Sequence, residues 1–313
     1  MEQTLGVLAH RGGLIAEHPQ LTVGVLRAVS RPGGLELELM ARRPLDRRGP
    51  TERQADIRAG RTGPAPAPRN LLPPYDEGLD LRVGRLDEAG HAHWVYPRST
   101  SSFSGDHAGG THGPTLQTLI LLPPVFDRLS LVLAWPEIGF PETVVDLPLP
   151  SRATVHRDTV SIWDAPVHTS RPPETLRHRA GVLPATEPEA ETGRIIAGPR
   201  VLARCEDAVV VLNRLTETGD MLSFELGCLA TVGIPHDMST IGGAAVAVVR
   251  DDEAVWAEPH TASAGGGDDS FVSAAEYAVA RPTGDVLHLL ISWPAAGLPD
   301  AVAAVPLSYN AIQ

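Results

Sequence analysis

The chain has 313 residues, 42% apolar but only 4% aromatic, with 30 glycines, 29 prolines and a net charge of −12. That length accommodates two ordinary domains, and the richness in Gly and Pro favours short strands and turns over long helices. An acidic chain is a poor general nucleic-acid binder, and no apolar run approaches the ~18 residues of a spanning helix, so neither nucleic acid nor membrane is expected as a partner. All 26 basic residues are arginine, which fits the codon bias of a GC-rich genome.

Met1-Glu2-Gln3-Thr4-Leu5 lacks the basic start and apolar core of a signal peptide, and two cysteines, Cys205 and Cys228, make no disulfide framework. The reading is cytoplasmic. Period-2 alternation then places strands near 21–29, 35–41, 79–86, 91–96, 116–122, 129–134 and 143–149. Between the second and third of these lies a stretch of about 29 additional residues within 43–74. It is rich in Arg and Pro, has few apolar residues, and reads as a long, exposed and extended loop. Residues 151–193 read as a linker, basic at first, then acidic at Glu187, Glu189 and Glu191, with Trp163 in a short apolar patch. Strands follow near 208–215, 221–229, 244–250, 254–258, 272–280, 286–292 and 301–307.

The second set repeats the first. Leu129 to Leu149 lies over Leu287 to Leu307 at a constant offset of 158, with 9 of 21 positions identical. Both segments carry Trp-Pro-x-x-Gly-[Phe/Leu]-Pro-[Glu/Asp], from Trp135 and from Trp293. An earlier block matches at an offset of 187, where Val23 to Leu39 lies over Val210 to Leu226 as a hairpin around a Gly-containing turn. The expectation is an all-β fold of two tandem antiparallel β-sandwich domains, immunoglobulin-like in scale: 1–150, the linker 151–193, and 194–313. The closing motif resembles that of a group of uncharacterised actinobacterial β-rich proteins. The resemblance implies a bacterial β protein and assigns no residue a role.

The signals for chemistry are sparse. His91-Ala-His93 puts two imidazoles on one strand face, and His107 and His112 follow in a loop beside Asp106, a donor set that could serve zinc or iron. The Gly265-Gly266-Gly267 run lacks the helix or lysine a phosphate nest uses and reads as a strand connector. No Gly-x-Ser-x-Gly, Walker motif or dinucleotide fingerprint occurs. No cofactor is expected.

The function reading is a non-catalytic protein-binding or scaffold protein. Its contacts are Arg47, Arg48, Arg53, Arg58 and Arg61 of the insert, facing an acidic partner surface, and Trp163, which either docks on a module or meets a partner. Two alternatives stand beside it. One is a metal-dependent enzyme using His91, His93, His107 and His112; the other is a small-ligand or carbohydrate-binding module. Oligomeric state is not written in the sequence.

Overall fold

A computed structural model of the chain describes residues 3–61, 63–73, 76, 78, 80–103, 113–183, 193–234, 243–267 and 269–308. The fold is all-β. The chain divides into two compact units, one formed by residues 9–156 and the other by residues 1–8 together with 157–313.

The opening strands are β1 (Thr4–Leu5) and β2 (Val7–Leu8). The first unit then runs β3 (Gly13–His18), β4 (Leu21–Arg31), β5 (Gly34–Arg42), helix α1 (Pro50–Arg58), β6 (Arg82–Leu86), β7 (Ala92–Val95), β8 (Ser99–Phe103), β9 (Thr115–Leu122), β10 (Arg128–Trp135) and β11 (Phe140–Pro148). One sheet is ordered β3-β4-β5-β9-β8 and the other β11-β10-β6-β7, antiparallel throughout. Apolar residues alternate along β4, β5 and β9, so Leu21, Val23, Val25, Leu37, Leu39 and Ile120 share one face. They pack in a single cluster with Val83, Leu129, Leu131, Leu133 and Leu147 of the second sheet. Two sheets sharing one core make a β-sandwich.

The other unit contains β12 (Val160–Ser161), β13 (Thr169–Ser170), β14 (Arg177–Leu183), β15 (Arg194–Ala197), β16 (Arg200–Arg204), β17 (Ala208–Thr218), β18 (Met221–Ala230), β19 (Ala245–Arg250), β20 (Glu253–Ala257), β21 (Thr261–Gly267), β22 (Ser270–Ala280), β23 (Val286–Trp293) and β24 (Leu298–Pro306). Its sheets are β17-β18-β22-β21, with β15 and β16 both beside β17, and β13-β24-β23-β19-β20-β14. Their shared core includes Val210, Phe224, Leu226, Tyr277, Leu289, Ile291 and Val305. Strand for strand, β17-β18-β22-β21 follows β4-β5-β9-β8, and β24-β23-β19-β20 follows β11-β10-β6-β7. Even the irregularities coincide. Register shifts fall between Val25 and Arg27 and between Leu212 and Arg214, and again between Leu133 and Trp135 and between Ile291 and Trp293.

Of the segment expected to be a linker, 151–193, residues 157–183 belong to this second unit, while 151–156 belong to the first. β1 pairs with β12, β13 pairs with β24, and β14 adds to β20 in parallel. The cause is apolar surface on the outer sheet faces. Leu5, Ile162 and Ala165 bury Val209, Val211 and Leu229, while Leu176 packs against Ala247, Ala254 and Leu290. The Gly265–Gly267 run is also not a connector but the end of edge strand β21, paired with β22.

Each unit closes alike. Buried Trp135 and Trp293 are followed by one turn of 3₁₀ helix and then by Gly139 (φ +83°) or Gly297 (φ +71°), whose N–H donates to Pro136 O or Pro294 O at 2.9 Å. The left-handed backbone is what demands glycine there. At Gly297 a Cβ would meet nothing within 4 Å, so Gly297→Ala carries the backbone cost alone, about 1 kcal/mol. At Gly139 a Cβ would lie 3.1 Å from Ala65 O and from the Pro64 Cβ. Gly139→Ala is therefore expected to cost more than Gly297→Ala in urea unfolding, and equal costs would mean the insert is not seated on this turn.

Candidate functional site

The Arg/Pro insert was expected to be extended. Its first half instead folds into α1, whose ends are specified by short-range chemistry. Pro50 opens the helix, and the N–H of Gly49 donates to the Glu52 carboxylate at 2.8 Å. At the other end Gly60 takes φ +70°, with Gly60 N–H donating to Ile57 O and Arg61 N–H to Asp56 O. That pair of bonds is a Schellman stop. No residue of α1 is buried, and Ile57 is 59% exposed.

What holds this polar helix is charge. Asp56 accepts from Arg48 at 2.8 Å and from Arg61 at 2.8 Å, and Arg48 also grips Asp46 at 2.8 Å. The Arg61 and Arg48 hydrogen bonds hold the Asp56 carboxyl below its ordinary range, and Arg48 brings Asp46 to about 2. Single exposed ion pairs contribute little, whereas a network sharing one carboxylate fixes geometry. Arg53 donates to Arg48 O at 3.2 Å. Of the five arginines singled out in the insert, Arg48, Arg53 and Arg61 thus brace the segment. Arg47 and Arg58 stand exposed, as does Ile57.

The second half of the insert is strapped to the closing turn. Glu142, at the start of β11, accepts the N–H groups of Asn70, Leu71 and Leu72 at 2.7–2.9 Å. Glu137 takes Arg69 at 3.0 Å and Arg82 at 2.6 Å. Burial alone would raise the Glu137 carboxyl, but the Arg82 hydrogen bond, the backbone N–H groups of Glu137 and Gly78 and the Arg82 charge together outweigh it, and the carboxyl lies below its ordinary range. Trp94 Nε1–H donates to Leu71 O at 3.3 Å, and Leu72 is buried. Prolines at 64, 66 and 68 leave few donors along this stretch, and one of those present, Ala67 N–H, is taken by Pro136 O. Charge-assisted bonds of this kind contribute ~1.5–3 kcal/mol each. Glu142→Ala is expected to free the strap, raising the rate of tryptic cleavage at Arg69 at least tenfold. An unchanged rate would show that Glu142 does not hold it.

Trp163 is half-buried against the apolar cluster that covers Val209 and Val211, so its indole serves its own unit rather than standing free. His91 and His93 both turn to Asp87, with His93 Nε2 at 2.8 Å and His91 Nδ1 at 3.7 Å from one carboxylate oxygen. Asp87 also accepts the backbone N–H groups of Ala89 and His91, making an Asx-type turn. The His93 hydrogen bond leads in holding Asp87 near 2. Both rings are exposed, at 77% and 58%. His107, His112 and Asp106 lie outside the described residues. Among the described residues no three His, Cys, Asp or Glu side chains gather as a metal site would need.

One cluster escaped the sequence reading. Across the outer face of β17-β18-β22, the buried Arg214 pairs with Glu276 and lies 3.5 Å from Glu225. His260 Nε2 meets Glu276 at 3.2 Å, and Ser223 donates to it at 3.2 Å. Arg214 stands immediately after the register shift in β17, and Arg27 stands after the same shift in β4, paired with Glu36 at 2.9 Å and Glu38 at 3.5 Å. A bulge re-aims a side chain, and in both units the re-aimed residue is an arginine neutralised by acids of the neighbouring strands, β5 for Arg27 and β18 and β22 for Arg214. Burial would raise Glu276, but the His260 hydrogen bond and the Arg214 charge bring it down to about 2. A carboxylate depressed from 4.5 contributes stability that is complete above about pH 4.5 and lost as pH falls towards 2. The shift corresponds to about 3 kcal/mol. Glu276→Gln should therefore flatten the acid limb of stability between pH 5 and 2 by about that amount, measured by urea unfolding at each pH.

No protein family profile matches the sequence, and no curated protein does. Among solved structures the chain is similar to a conserved domain protein from Bacillus anthracis, at 9% identity and TM-score 0.21, covering 90% of this chain and 77% of that one. It is also similar to bovine butyrophilin, at 9% identity and TM-score 0.22, covering 94% and 99%. At these scores neither carries an argument, and the sandwich fold rests on the strand order and the two-sheet cores. Among the described residues no helix is long and apolar enough to cross a membrane.

Proposed function

We propose that this chain is a non-catalytic binding or scaffold protein of the bacterial cytoplasm, built as two copies of one sandwich unit, which presents α1 to an acidic protein. The observation that carries the reading is the helix itself. A nine-residue helix with no buried side chain adds nothing to a core, yet it is capped at both ends, braced by Asp56 and strapped at its far side by Glu142. Such preorganisation lowers the ordering cost of an interaction made through it. Arg47 and Arg58 supply charge for an acidic surface, and exposed Ile57 supplies an apolar contact. The duplication is supported by the shared strand order and by bulges and closing turns at matching offsets. The cytoplasmic assignment is supported by Cys205 and Cys228, which form no disulfide.

The test is a quantitative capture from host lysate by immobilised protein. It compares wild type, R47E/R58E, and a control reversal of equally exposed arginines on β14, R177E/R179E. A protein retained by wild type and control but reduced at least tenfold on the α1 variant is the expected result. If nothing retained depends on α1 more than on β14, the reading fails.

A further inference from the structure

The shared strand order allows the two units to be compared residue by residue, and one row on the outer face differs in kind. In the second unit Val209, Leu229 and Val272 stand side by side across β17, β18 and β22. This row is apolar, with Val209 and Leu229 buried beneath Leu5, Ile162 and Ala165. The same row of the first unit, across β4, β5 and β9, is Thr22, Arg42 and Thr115. It opens into a cavity of about 240 Å³ lined in part by His18, Thr22, Arg42, Arg43, Pro44 and Gly113.

The cavity is built rather than incidental. Gly113 has no room for a side chain, since a Cβ there would lie 2.1 Å from Arg43 O, and this close approach forms one wall. Arg43 N–H donates to Pro114 O at 2.9 Å and fixes that wall in place. Thr115 Oγ1 accepts from Arg42 Nε at 3.3 Å while its own hydroxyl donates to Gly113 O, which orients the Arg42 fork. The Arg43 guanidinium lies over the Trp135 ring, 6.0 Å from its centroid. His18 packs edge-on to Phe140 at 5.6 Å and accepts Gln20 N–H at Nδ1, so in the neutral ring the proton sits on Nε2. The described lining residues thus include two arginines, a histidine and a threonine, and none of those described is Asp or Glu.

We propose that this cavity is an anion site for a small oxyanion, a phosphate or a carboxylate, gripped by Arg42 and Arg43. Arginine forks match both groups in two-pronged fashion. The volume is below the ~300 Å³ at which sites for drug-sized ligands begin, so the ligand is a small anion or the anionic end of a longer molecule. The site is distinct from α1 and does not depend on the partner reading.

Isothermal titration and thermal shift test it on the full chain, with inorganic phosphate in one arm and succinate in the other. Sodium chloride at matched ionic strength is the control. Saturable heat and a rise in Tm beyond the chloride response are expected in at least one arm, and the responding arm identifies the oxyanion. R43Q and T22V should each weaken binding at least fivefold, and R47E/R58E should leave it unchanged. Arg43 is exposed and Thr22 half-buried, so both variants are expected to fold, which circular dichroism checks. If neither anion exceeds chloride, or if R43Q and T22V bind as wild type does, the site is overturned. Loss of binding in the α1 variant alone would likewise overturn it by assigning the response to that helix.

Discussion

Every sheet in this protein has two faces, and a sandwich core can bury only one of them. How the other face is finished determines most of what lies between the strands. In the second unit the outer faces carry Val209, Val211, Leu229, Ala247 and Leu290, apolar surface that water would penalise. Residues 3–5 and 157–183 supply the cover, partly as added strands and partly as Ile162, Ala165 and Leu176. In the first unit the stretch 64–73 covers one outer face through Leu72 and the Trp94 bond, while the other face carries the polar row with its cavity. Cover segment, strap and open cavity are different answers to one requirement.

The same requirement explains the buried charges. Arg214 and Arg27 lie on outer faces at bulges, where the strand turns a long side chain across its neighbour. Glu225 and Glu276, or Glu36 and Glu38, neutralise them where solvent is partly excluded. Removing one partner there leaves the other charge without compensation, which is why the acid limb of stability is tied to Glu276.

Much of this architecture was legible in the sequence. Period-2 alternation located most of the sandwich strands, and Trp-Pro-x-x-Gly-x-Pro located both closing turns, because core burial and a left-handed glycine leave local marks. Helix α1 was missed although Pro50, Glu52 and Gly60 announce both of its ends. It has no apolar periodicity, the signal on which helix reading leans. The Arg214 cluster was invisible for a different reason. Its members are scattered from residue 214 to residue 276, and only the strand register brings them together. Trp94 and Trp256 hold the same place, opposite Gly84 and Ala247, yet their separation matches neither repeat offset, so that equivalence also needed the ladder. The cover segments escaped because irregular backbone buries isolated residues, and isolated apolar residues have no period.

The second unit is discontinuous, since it begins with residues 1–8 and resumes at 157. On a ribosome adding about 5–20 residues each second, β1 waits on the order of ten to thirty seconds before its partner β12 is made. During that interval the whole intervening unit emerges and can close around its own core. The order of synthesis therefore gives the first unit a head start. Strand β1 is recruited late, and its pairing with β12 marks the point at which the second unit can begin to assemble.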